Sequence, residues 1–127
     1  MIARIAPGLI AAVAVSSAAC AQRFTAAEGH WARGDGLVKA RVAPCEGALC
    51  ATNTWVDPSD TEEKVGDRLV MRLKPTTPSD WNGDAYDERR KRSYSMELTV
   101  EGDHMTSRGC ILGGLLCKGS DWTRIKG

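Results

Sequence analysis

The sequence predicts an all-β protein: a small eight-stranded antiparallel up-and-down barrel preceded by a short helical turn. Two observations lead there. Beyond residue 28 helical periodicity disappears and the chain breaks into short runs separated by Gly, Pro, Asp and Asn clusters. Within those runs apolar and polar residues alternate, most clearly where Tyr94, Met96, Leu98 and Val100 interleave with Ser93, Ser95, Glu97 and Thr99. Short sequential strands joined by tight turns favour a meander, and eight of them close into a barrel that leaves no edge exposed.

Ahead of the barrel, Arg4, the apolar run from Ala6 to Val15 and the small residues Ala19 and Ala21 read as a signal peptide over residues 1–21. The apolar run is too short to span a bilayer. Residues 22–127 then form a single domain, exported to the periplasm or secreted. Cys20 offers an alternative, because Ser17, Ala18 and Ala19 partly resemble the segment before a lipidated cysteine, and acylation there would anchor the domain to the envelope membrane.

Thr25-Ala-Ala-Glu28 fits a capping box at the start of a single helical turn. Strands are then expected at residues 29–33, 36–43, 50–56, 67–74, 81–87, 93–101, 104–110 and 120–126. Arg33-Gly-Asp-Gly36 and Glu101-Gly-Asp103 supply tight turns, since glycine reaches the positive φ that such turns require. Asp57 to Val65, with Pro58 and a cluster of acidic residues, reads as an exposed loop. Lys74 to Asp80 contains two prolines that should interrupt a ladder. Ile111 to Leu116, apolar and rich in glycine, is expected as a cap tucked under the barrel, the alternative being an exposed contact patch.

Of five cysteines, loss of Cys20 with the leader would leave an even set. Cys45, Cys50, Cys110 and Cys117 permit three pairings. The sequence-close ones, Cys45 with Cys50 and Cys110 with Cys117, are expected because each brackets a short connection containing glycine. Disulfides are the expected state in an oxidising compartment, and they leave no thiolate for catalysis beside His104.

The net charge of +1 gives no global pull toward nucleic acid. Arg89, Arg90, Lys91 and Arg92 form a local basic run, read as a solvated turn with contact to an anionic lipid or glycan headgroup as the alternative. With His30 and His104 the only histidines, a three-histidine zinc centre is impossible, and no metal or cofactor is expected. Nucleophile-elbow and phosphate-loop motifs are absent. Asp80, Asp84 and Asp87 would make a carboxylate pair for acid and base work only if they faced one cavity, so a hydrolase ranks behind a non-enzymatic role.

Aromatic side chains combine apolar area with a polar tip, which suits small-molecule recognition, and Trp55, Trp81, Tyr86 and Tyr94 are the candidate ligand-binding residues. Core packing competes for the same side chains, because a barrel of this size can be filled by its own interior.

Gly29-His-Trp31 near the start and Trp122-Thr-Arg124 near the end resemble the calycins, the lipocalin-like barrels. That resemblance implies structural closure of the barrel by Gly29, Trp31 and Arg124, with the guanidinium carried across the indole face. From Glu28 to Ile125 the chain resembles more closely the bacterial domain-of-unknown-function family twenty-one forty-seven. The carrying residues are Gly29-His-Trp31, Cys45-Glu-Gly-Ala-Leu-Cys50, Trp55, Trp81-Asn-Gly83, Tyr86-Asp87, Tyr94-Ser, Arg108-Gly-Cys110 and Trp122-Thr-Arg124. Ala51, where glycine is usual, and Ala85, where a β-branched residue is usual, depart from the pattern. The resemblance implies an exported envelope protein with a lipocalin-like barrel. The function expected is non-enzymatic binding of a small apolar or amphipathic molecule in the envelope, the alternative being a protein-interaction module or inhibitor.

Overall fold

The computed structural model describes Gly8 and residues 25–127. The expected signal peptide at residues 1–21, Gly8 aside, and the expected lipidation site Cys20 lie outside the described residues. Eight antiparallel strands follow one another and close into a barrel in sequence order. They are β1 (Gly29–Arg33), β2 (Val38–Cys45), β3 (Ala48–Val56), β4 (Arg68–Thr77), β5 (Asp80–Asp87), β6 (Arg92–Glu101), β7 (His104–Ile111) and β8 (Leu116–Ile125). Each expected strand is present, with its largest boundary error at the start of β8.

The alternation read from the sequence sorts the two faces. Val38, Ala40 and Val42 of β2 are buried, as are Met96, Leu98 and Val100 of β6, while Lys39, Arg41, Ser95 and Glu97 face solvent. Trp31, Leu49, Met71, Leu73, Trp81 and Met105 join them in one core cluster. Burying such side chains fully is worth about 1.5–3 kcal/mol each against leaving them wet.

Turn chemistry follows the same local rules. Glu46 and Gly47, with φ of 47° and 74°, join β2 to β3; both central residues at positive φ match the twist of a tight hairpin. Gly83 has a different reason to be glycine: a Cβ there would run into the backbone of Arg72 and Leu73 on β4.

Three expectations are corrected. Thr25 to Glu28 is a hydrogen-bonded turn, closed by the Glu28 N–H on the Thr25 carbonyl at 3.3 Å, and not a helix. Pro75 lies inside β4, opposite Trp81. It is tolerated because β4 pairs with β3 only as far as Met71, so that part of the strand has one edge outside any ladder. Ile111 to Leu116 is no tucked cap: a turn of 3₁₀ helix at Leu112–Gly114 projects outward, with Leu112, Leu115 and Leu116 exposed. Positive φ at Leu112, Gly113 and Gly114 shapes this tight connection before β8 begins.

The barrel has two unlike ends. At one, Trp31 is fully buried and donates its indole N–H to the Ala27 carbonyl at 2.9 Å, so the turn at residues 25–28 is fixed across that opening. At the other end lie the β3–β4 loop, the β5–β6 turn and the β7–β8 connection.

Candidate functional site

At the closed end the first and last strands meet. Trp31 pairs with Arg124 across the β1–β8 seam, and the guanidinium carbon sits 4.3 Å from the indole centroid. The same guanidinium donates to the carbonyls of Glu28 at 2.7 Å and Ala26 at 2.8 Å, and ion-pairs with Asp103 at 3.2 Å. Gly29 leaves the room: at its φ of 134° a Cβ would lie 2.6 Å from an Arg124 nitrogen. This is the contact geometry that the sequence resemblance implied for barrel closure.

The open end holds the hollow part of the molecule. Core side chains fill the barrel up to its middle, and above them a cavity of about 110 Å³ is lined by Val42, Ala51, Leu69, Met71, Met105 and Trp122 among others. Glu63, Asp87, Arg90, Ser107 and Trp122 border both this cavity and a wider polar mouth of about 550 Å³. The lower cavity presents mainly apolar surface, although Glu63, Asp67, Arg68, Asp87 and Arg90 also border it, and the mouth is mainly polar, so the site is amphipathic.

Register decides which side chains reach it. Cross-strand partners share a face, and buried Asp87 pairs with Arg92, buried Ala85 with Tyr94 and buried Met105 with Trp122. Arg92, Tyr94, Lys118, Ser120 and Trp122 therefore occupy inward positions at the open end, and all line the mouth.

Of the aromatic candidates, Tyr94 alone lines the hollow. Trp81 is 2% exposed and belongs to the core below. Trp55 points outward under Lys39, whose ammonium lies 5.3 Å from its ring centroid. The register between β2 and β3 shifts between Lys39 and Ala40, so Thr54 has no ladder partner and the next residue changes face. Tyr86 lies between inward-facing Ala85 and Asp87 and so points outward, half exposed. The carboxylates Asp80, Asp84 and Asp87 do not share a cavity either. Asp80 accepts hydrogen bonds from Thr77 and Thr99, both at 2.7 Å, while Asp84 is exposed on the outer face and Asp87 faces in.

Sequence reasoning missed what covers the mouth. The acidic β3–β4 loop reaches across it and is held by arginines: the basic run does form the exposed turn expected of it, but Arg89 and Arg90 in that turn are also engaged in ion pairs with the loop. Asp60 shapes the loop by accepting the Glu62 and Glu63 amides at 3.0 and 3.1 Å, and pins it through Arg33 of β1 at 2.6 Å. Arg89 grips Asp67 at 2.6 Å and donates to the Glu62 carbonyl, to which Arg90 also donates. Arg90 further pairs with buried Asp87 at 2.8 Å and with Glu63 at 3.3 Å. Hydrogen bonds from Arg33 and Arg89, ahead of other causes, hold the Asp60 and Asp67 carboxyls below the usual carboxylate range. The available signal was two runs of opposite charge, residues 57–67 and 89–92, in one small domain.

Cys45 pairs with Cys50 and Cys110 with Cys117, as the sequence spacing led us to expect. Two structural disulfides suggest an oxidising, non-cytoplasmic compartment.

Fold and site together define a small closed β-barrel, sealed at one end by a stacked Trp and Arg and hollow at the other beneath a pinned loop. A family model described as "Uncharacterized protein conserved in bacteria (DUF2147)" matches residues 29–124, and the chain belongs to that family. Among solved structures, a redesigned β-barrel is similar with a TM-score of 0.51 at 11% identity, over 84% of this chain and 96% of that one. At that identity the likeness is one of fold. No curated protein matches the chain.

Proposed function

We propose that this protein is an exported, lipocalin-like barrel that binds a small amphipathic molecule in the cell envelope, without catalysis. The observation that supports this reading most directly is the mainly apolar cavity of about 110 Å³ beside a polar mouth of about 550 Å³. A whole drug-sized ligand takes about 300–1,000 Å³, so the lower cavity suits a short apolar segment, with the polar remainder in the mouth. Leader-like residues 1–21 and the two disulfides favour an address outside the cytoplasm. Native mass spectrometry of protein taken gently from its own envelope tests the reading. A bound small molecule released on unfolding is expected; repeated recovery of empty protein that also ignores added amphiphiles would end it.

A protein-interaction role is the second reading, favoured by the projecting tip where Leu112, Leu115 and Leu116 are 70%, 86% and 59% exposed. A photo-reactive residue at position 115 should then give one discrete adduct in envelope extract, and an unadducted monomer under every growth condition would count against it.

A further inference from the structure

Five cations line the mouth, and they are not equally occupied. Arg33 is held by Asp35 at 3.0 Å and Asp60 at 2.6 Å, Arg89 by Asp67, and Arg90 by Asp87 and Glu63. Arg92 has no carboxylate partner among the described residues. Lys118 has one contact, 3.7 Å to Glu62, with both side chains more than three-quarters exposed; a pair so exposed contributes little. Both of these less engaged cations stand at inward-facing positions, Arg92 opposite Asp87 and Lys118 opposite Gly109. Gly109 has no side chain to fill the space in front of Lys118, and the Tyr94 ring lies within 4 Å of where its Cβ would be.

We infer that the mouth recognises an anionic headgroup, carboxylate or phosphate, on a short apolar tail, with Arg92 and Lys118 as the anion subsite. The inference rests on the small-molecule reading above and names its ligand class. A planar guanidinium matches the oxygens of either head and the ammonium adds a mobile donor, so both bonds would be charge-assisted. The tail would run down past Trp122 toward Met71 and Met105, which line the apolar cavity. Arg33, Arg89 and Arg90 hold the loop over the mouth and leave the anion to the other two.

Octanoate and 1-octanol share a chain length and differ in head charge, so they separate the two claims. Binding is followed by NMR through the methionine methyls, which report the tail, and the guanidinium resonance of Arg92, which reports the head. Octanoate should bind about tenfold more tightly than octanol, the difference shrinking as salt is raised. Arg92→Gln with Lys118→Gln should bring octanoate down to the octanol affinity and leave octanol binding in place. If both probes bind with equal affinity, the anion subsite is wrong and the small-molecule reading stands. If neither moves a methionine methyl, the small-molecule reading itself falls. Inorganic phosphate should compete only weakly, and competition as strong as that of octanoate would overturn an amphiphile site in favour of a bare-anion site.

Discussion

Gly29 lacks a side chain where Arg124 requires space, and the two residues are intelligible only together. The guanidinium stacks on Trp31 and donates to two backbone carbonyls, so it joins β1, β8 and the preceding turn in one contact. Arg124→Lys keeps the charge and loses the planar fork, and should destabilise by about 2–3 kcal/mol, summing cation–π and charge-assisted hydrogen-bond losses. Urea unfolding with an unchanged slope measures it. Gly83 and Gly109 make a matched pair of tests. Alanine at Gly83 collides with the β4 backbone, whereas at Gly109 the nearest atom is 3.6 Å away. We expect Gly83→Ala to cost about 1–3 kcal/mol and Gly109→Ala to stay within about 0.5 kcal/mol of the parent. The Trp31 and Arg124 pair was legible in the sequence because each sits at a strand position fixed by local pattern. Trp55 was not, because one residue of bulge at Thr54 reverses the face of everything beyond it.

The β3–β4 loop is an element whose order depends on charge. Its pins are Asp60 on Arg33, Asp67 on Arg89 and Glu63 on Arg90, with Asp35, Glu62, Asp87 and Lys118 nearby. A free carboxyl titrates near about pH 4, and those of Asp60 and Asp67 are lowered when the loop is closed. Closure is therefore fully favoured above that pH and is lost as pH falls through the lowered values. Amide exchange of residues 57–67 should stay protected from about pH 7 to pH 5 and rise below about pH 4; Asp60→Asn should raise it at neutral pH. These pins join residues 22 or 27 apart in the chain, so they were invisible to strand-by-strand reading even though the strands came out correctly. The two hairpins closed by disulfides were legible, because each bridge is local. Their short loops restrict the unfolded chain by about 2 kcal/mol each, so strong reductant should lower the melting temperature without abolishing the fold, as near-ultraviolet circular dichroism would report.

On the scale of the whole molecule the barrel is asymmetric: tightly filled and sealed at one end, hollow and charged at the other. Alternating burial let the sequence announce the filled part, since any inward apolar residue contributes to a core. The hollow part was illegible because a cavity is what side chains leave behind, a property of eight strands at once. The seam between β1 and β8 also brings Gly127 beside His30, so the ends of the domain adjoin. Removing residues 122–127 should leave a chain unable to close, seen as loss of near-ultraviolet signal with strand content partly retained. A circular permutant joined across the seam and reopened at the Gly102 turn should fold. A ribosome making this chain must release Arg124 before any barrel can shut, so until then the nascent domain remains an unsealed ribbon, kept in a form that can still be threaded elsewhere or handed to a chaperone.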